Sequence, residues 1–160
     1  MISGLDLTQL KRMIVRPTLT AIGLSGDTAV NMLTGTALAE SSCAYLAQVG
    51  GGPALGLWQM EPATHNDCWT NFLDGAENAR FAEAVRPLMS GEDRLVQLVS
   101  NLRYACAMAR VKFYRAPEPL PGADDAVGLA TYWKLHYNTT LGAGSVNATH
   151  VRIFQQAISA

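Results

Sequence analysis

Apolar residues recur at helical spacing along most of this chain, and that periodicity limits its fold more than any other feature. Leu95, Leu98, Val99, Leu102, Cys106, Ala109 and Phe113 fall on one helical face, because residues three and four apart stack on the same side of a 3.6-residue turn. We read them as one long core helix opened by Ser90, with Asp93 three residues on in a capping-box-like arrangement. Leu5, Leu7, Leu10, Ile14 and Val15 mark a first helix, expected to end near Pro17 because proline removes a ladder N–H. Ala29, Val30, Leu33, Ala37 and Leu38 mark a second. Ser25 or Asp27 is available to cap its start, Gly35 weakens its middle so that a bend is expected there, and Glu40 lies near its end.

The later chain repeats the pattern. A short helix is expected over residues 76–85, ended by Pro87. Pro117, Pro119, Pro121 and Gly122 form a stiff connector. With Asp124 and Asp125 in its first turn, the next helix runs to about Tyr137 with Val127, Ala130, Trp133 and Tyr137 on one face. Leu141–Gly142–Ala143–Gly144 reads as a loop, and Asn147 caps a last helix that turns Val151, Phe154 and Ile158 inward. Only residues 50–74 break the rhythm. Gly50–Gly51–Gly52–Pro53 forbids regular helix, and the apolar run from Leu55 to Met60 is stopped by Pro62. The expectation is one mainly α domain spanning 1–160, with a small irregular or β element near residues 50–70.

Composition excludes several classes. The hydrophobic share of 49% against 16% charged residues is that of a packed domain, not a disordered chain. A formal net charge of −1 without any Lys/Arg run leaves no footprint for nucleic acid. No stretch approaches the length of a bilayer span. Residues 1–15 carry Asp6, Lys11 and Arg12 within their apolar pattern and do not read as a signal peptide. Three cysteines, at 43, 68 and 106, form no disulfide framework and are expected as mostly free, buried thiols, with one pair able to form after release. His65, Cys68, Cys43, Cys106, His136 and His150 lack metal-ligand spacing, so neither a metal nor a cofactor is expected.

Three separated pieces carry the candidate chemistry: Leu38–Ala39–Glu40–Ser41–Ser42 at a helix end, Gly56–Leu57–Trp58–Gln59–Met60–Glu61–Pro62–Ala63–Thr64 in the irregular segment, and His136–Tyr137–Asn138–Thr139 at the end of a late helix. A carboxyl group donates a proton at neutral pH only if its surroundings raise its pKa. Glu40 follows an apolar helix and can be walled by Leu57, Trp58 or Met60 if the loop folds over it. Gly56 admits close backbone approach by a ligand, and Gln59 offers both donors and acceptors to sugar hydroxyl or acetamido groups. Tyr137 can hold the carboxyl, and Asn138 can bind an acetamido group. Core packing and a sugar platform are equally compatible with Trp58. Ser41 and Ser42 have no His/Asp partners that would make a serine hydrolase.

In this order, the pieces resemble the lytic transglycosylase branch of the lysozyme-like superfamily, where Glu-Ser ends a helix, Gly-Leu-Met-Gln leads to Pro-x-Thr, and Tyr-Asn follows. The likeness covers about Leu33 to Gly144. Trp58 stands where Met is usual, and Thr139–Thr140 where Ala-Gly usually follows. The resemblance implies a catalytic acid at Glu40, with Ser41, Gly56, Leu57, Trp58, Gln59, Tyr137 and Asn138 toward the substrate. It also implies cleavage of bacterial peptidoglycan glycan strands between N-acetylmuramic acid and N-acetylglucosamine, with 1,6-anhydromuramic ends. A hydrolase would need a second carboxylate, for which Glu61 and Asp67 are the candidates. A non-catalytic glycan-binding or structural module of the same fold is the other class of reading. The stretch from Tyr132 to Thr139 resembles bacteriophage versions. With no signal peptide read at the start, this implies synthesis in a host cytoplasm. The expected destination is then the virion, among tail proteins, or release to the periplasm and cell wall.

Overall fold

A computed structural model describes residues 4–139 and 145–160. It is mainly helical and contains no named strand among those residues. The helices are α1 (Leu7–Gln9), α2 (Arg16–Ala21), α3 (Asp27–Ser41), α4 (Pro62–Cys68), α5 (Ala79–Val85), α6 (Arg94–Ser100), α7 (Leu102–Tyr114), α8 (Ala126–His136) and α9 (Ala148–Ser159). A π-helical stretch, Leu10–Val15, joins α1 to α2, and a second, Trp69–Leu73, extends α4. The expected loop at 141–144, with Thr140, lies outside the described residues.

Pro17 does not end the first helix as its ring would predict. The preceding π-helical stretch resets the ladder, so that Arg16 N–H reaches back five residues to the Lys11 carbonyl. Proline then sits in the first turn of α2, where it has no helical N–H to lose. Lys11 is buried on this stretch and its Nζ donates to the carbonyls of Ala157 and Ile158 at 2.7 and 3.1 Å. A cation there meets the negative end of the α9 dipole and ties the N-terminal helix to the last one.

The long helix expected from Ser90 is two. Asn101 leaves helical geometry at φ −125° and ψ 92°. Its side chain accepts from Tyr104 N–H and donates to the Leu88 carbonyl at 2.7 Å. Asparagine thus competes with the helical ladder for its own backbone groups. Asp93, rather than Ser90, caps α6 through Leu95 and Val96 N–H. The second half, α7, is the central element: Tyr104 through Val111 and Phe113 are all buried. The Tyr104 hydroxyl joins it to α4, meeting His65 Nε2 at 2.7 Å and accepting from Trp69 Nε1 at 2.9 Å.

The second expected helix is α3. Gly26 precedes it without a side-chain cap, so neither Ser25 nor Asp27 serves as one. It runs unbroken through Gly35. A methyl group at 35 would overlap the Phe154 ring of α9, so the glycine allows α9 to seat against α3. Asn147 caps α9, as expected, with Phe154 fully buried. The three cysteines are free and buried, and burial pushes the Cys43 thiol up to about 11.

The irregular segment contains only isolated bridges, Ala47 with Leu55 and Leu55 with Met60, not a hairpin. Pro62 does not stop structure there but opens α4, in the first-turn position that suits it. Gly56 holds φ +76° and packs its backbone on the end of α6, where a Cβ would land on the Leu98 carbonyl oxygen. The close approach that requires glycine is therefore to the protein itself. Gly56→Ala must strain the backbone and displace that carbonyl, so it is expected to lower stability by about 2–4 kcal/mol in thermal or urea unfolding.

Candidate active site

Glu40 stands in the last turn of α3, followed by Ser42 and Cys43 in left-handed geometry at φ 54° and 53°. The helix therefore ends just past it. Its carboxyl is half-buried beside the end of α8. Trp133 Nε1 donates to Glu40 Oε1 at 2.9 Å, and Asn138 Nδ2 donates to the same oxygen at 3.2 Å. Oε2 has no hydrogen-bond partner among the described residues.

Burial raises the Glu40 pKa above its ordinary value, while the Asn138 and Trp133 hydrogen bonds and the charges of Lys112 and Lys134 pull the other way. The negative end of the α3 dipole acts in the same direction as burial. A carboxyl in these surroundings keeps its proton to higher pH than an exposed glutamate. Two donors on Oε1 give that oxygen carbonyl character, so the proton belongs on Oε2.

This carboxyl lines a cavity of about 600 Å³, together with Tyr45, Gln48, Gln59, Glu61, Thr64, Lys112, Tyr137 and Asn138, among others. The cavity lies between the irregular segment and the end of α8, where a cleft was expected. Gln59 is half-buried in left-handed geometry at φ 46°, and its Nε2 donates to the Gly56 carbonyl at 2.9 Å. Lys112 reaches the floor from α7: its Nζ donates to the Tyr137 carbonyl at 2.9 Å and lies 4.1 Å from the centre of the Tyr137 ring.

Several expected contacts are structural instead. Trp58 is 1% exposed and donates its indole N–H to the Leu33 carbonyl of α3 at 2.9 Å, so it is core and not a sugar platform. Leu57 is buried as well, and none of Leu57, Trp58 and Met60 lines the cavity; the side chains that meet the Glu40 carboxyl are Trp133 of α8 and Asn138 just beyond it. Ser41 is buried and its hydroxyl donates back to the Ala37 carbonyl at 3.0 Å, which turns it away from the cavity. Gly56 packs against α6, as described above. Tyr137 does not hold the carboxyl. Its hydroxyl donates to the Trp58 carbonyl at 2.6 Å, and its ring stacks on Phe113 with centres 5.0 Å apart. Asn138 takes the carboxyl-holding part that Tyr137 was expected to have.

The two candidate second carboxylates separate. Glu61 is exposed and faces the cavity. Asp67 is outside it, where it accepts from Arg115 at 2.7 Å and from Asn71 at 2.6 Å. Those partners hold the Asp67 carboxyl below its usual range, and the ion pair keeps it from the site.

Sequence reasoning missed Trp133 as a partner of Glu40, and Tyr45, Gln48 and Lys112 as cavity residues. Trp133 had a usable signal: an indole on an inward helix face needs an acceptor, and it stands one turn before Tyr137–Asn138. Lys112 had none, since a lysine beside core positions usually reaches solvent. Among the described residues, no group of three or more His, Cys, Asp or Glu side chains is placed to hold a metal ion. No helix among them is long and apolar enough to cross a membrane.

Residues 16–91 match the family model described as a lysozyme like domain. The matched stretch contains Glu40 and the whole irregular segment, while Trp133, Tyr137 and Asn138 lie beyond it. No curated protein and no solved structure gives a significant match. Over that stretch the chain is similar to a lysozyme like domain, and the mainly helical architecture is consistent with one, which supports a peptidoglycan-cleaving enzyme in general.

Proposed function

We propose that this protein cleaves the β-1,4 bond between N-acetylmuramic acid and N-acetylglucosamine by lytic transglycosylation, with Glu40 as acid and then base. The observation that carries this reading is the state of the Glu40 carboxyl: half-buried, raised in pKa, and held through Oε1 so that Oε2 keeps the proton. In the first step Glu40 Oε2–H protonates the glycosidic oxygen as the bond to the muramic anomeric carbon breaks. In the second, the Glu40 carboxylate takes the proton of the muramic 6-hydroxyl, whose oxygen closes on the anomeric carbon. The enzyme returns to its starting state and no water is consumed. Gln59, with Tyr45, Gln48 and Thr64, lines the cavity that would take the sugars. Ser41, Gly56, Leu57 and Trp58 serve this reaction as scaffold.

A second reading has one observation in its favour. Glu61 faces the same cavity, and an activated water held by it would give hydrolysis. Mass spectrometry of digested peptidoglycan separates the two. Anhydro-muropeptides are expected. Products heavier by one water with reducing ends would replace this proposal with the hydrolytic one.

Glu40→Gln keeps an acceptor oxygen for Trp133 and Asn138 but has no proton to give. Glycan cleavage is expected to fall on the order of a thousandfold. Undiminished cleavage would remove Glu40 from the mechanism, and a wild type that binds glycan strands without ever cutting them would make the protein a binding module.

The pH dependence follows from the raised pKa. Because the free enzyme must hold its proton, kcat/KM is expected to decline as pH rises through the folded Glu40 pKa. Stability changes with the same sign. Below the ordinary value of 4.5 the group is neutral in both states and costs nothing. Above it the unfolded chain ionises first, so folding loses free energy until pH passes the folded pKa. Glu40→Gln lacks this loss. Its Tm is therefore expected to gain on the wild type between pH 4.5 and neutrality, measured by thermal unfolding across that range.

A further inference from the structure

We infer that Lys112 is a positioning residue for this reaction: its ammonium pins the Tyr137–Asn138 turn that holds Glu40, and it supplies the positive charge facing the carboxylate left after proton donation. The inference rests on Glu40 being the acid and base.

Lys112 lies in the last turn of α7, and its half-buried side chain lines the same cavity as Glu40. Its donation to the Tyr137 carbonyl at 2.9 Å fixes the backbone one residue before Asn138. Asn138 in turn has its amide set by two neighbours: Nδ2 goes to Glu40, and Oδ1 faces Lys134 Nζ at 3.4 Å. The Tyr137 ring lies under the ammonium at 4.1 Å and is itself clamped between Phe113 and the Trp58 carbonyl. Lys112 therefore meets a buried ring that is itself packed and hydrogen-bonded.

A cation withdrawn from water needs compensation, yet Lys112 forms no ion pair at contact distance among the described residues. One carbonyl and one ring face provide part of it. The groups whose charges reach it are Glu40 of α3, Glu61 before α4, and Cys68 of α4. Burial keeps the Cys68 thiol protonated, so it carries no charge at neutral pH. Glu61 is exposed and screened by solvent. Glu40 is the partly buried one, and Lys134 faces it from α8. Its charge alternates in the proposed cycle: neutral before the glycosidic bond breaks, negative until the 6-hydroxyl proton arrives. A fixed ammonium is worth most in the second state, when the developing charge has little water around it. Burial lowers the Lys112 pKa, and the Glu40 charge works against that shift.

Lys112→Gln retains a donor for the Tyr137 carbonyl and removes the charge, while Lys112→Arg keeps the charge. The readouts are the Glu40 carboxyl titration, followed by carbon NMR on the full chain with the signal assigned by Glu40→Gln, and kcat and KM on glycan strands across pH. In Lys112→Gln the Glu40 midpoint is expected to move to higher pH, with kcat reduced on the order of tenfold to a hundredfold and KM little changed. Lys112→Arg is expected to hold the midpoint near wild type. A second measurement needs only folded wild type: the Lys112 side-chain nitrogen signal should carry an inflection at the Glu40 midpoint that Glu40→Gln abolishes. An unmoved midpoint in Lys112→Gln, or no such inflection in the wild type, would overturn the inference, even if activity fell. Continued cleavage by Glu40→Gln is the separate result that would overturn the reading of Glu40.

Discussion

A carboxyl group whose pKa is to be raised has to be taken partly out of water and then held by groups that do not neutralise the effect. The end of α8 does this for Glu40. Trp133 and Asn138 are neutral donors, and both reach the same oxygen. Cationic donors in those places would lower the pKa much more strongly and leave a carboxylate. The nearby cations, Lys112 and Lys134, do not touch the carboxyl and bond elsewhere, to the Tyr137 carbonyl and the Asn138 side chain. Around this arrangement the helices have little freedom: α8 must lie beside the end of α3, and α9 must pack against both.

The irregular segment is anchored to the same place. Tyr137 follows Trp133 by one turn and sends its hydroxyl to the Trp58 carbonyl, while the Trp58 indole goes to the Leu33 carbonyl of α3. The end of α8 and the residue after it therefore reach both sides of the cavity, the carboxyl side through Trp133 and the loop side through Tyr137. Gly56 fixes the far side of the loop against α6. Before α4 this segment has almost no regular secondary structure, yet several of its backbone groups end on hydrogen-bond partners. Ala54, Gln59, Glu61 and Thr64 of this segment line the cavity.

The motif residues accordingly divide in two. Glu40, Gln59, Tyr137 and Asn138 border the cavity, whereas Ser41, Gly56, Leu57 and Trp58 hold those residues in place. Residue type and spacing look the same for both groups. A glycine that admits a sugar and a glycine that admits a helix end differ only in what lies opposite. The two candidate acids illustrate the point. Glu61 and Asp67 stand in one short stretch of sequence, but α4 turns Asp67 toward Arg115 of the chain following α7, and that pairing removes it from the site.

By itself the sequence determined the helical class, most helix positions and the order of the pieces around the cavity, because apolar periodicity, caps and glycines act within a few residues. It placed Glu40 at a helix end and Tyr137–Asn138 at another. It misjudged Pro17 and Asn101, where a π-helical reset and a side chain competing with the backbone override propensity. Only the tertiary structure decided that Asn138 rather than Tyr137 holds the carboxyl, that Trp133 joins it, and that Lys112 reaches the cavity floor. Those facts join residues more than 70 positions apart in the case of Glu40 and Lys112, and 93 and 98 apart for the two hydrogen bonds on Oε1. Local pattern fixes which face of a helix is apolar. It does not fix which partner that face will meet, and the pKa of Glu40 depends on that partner.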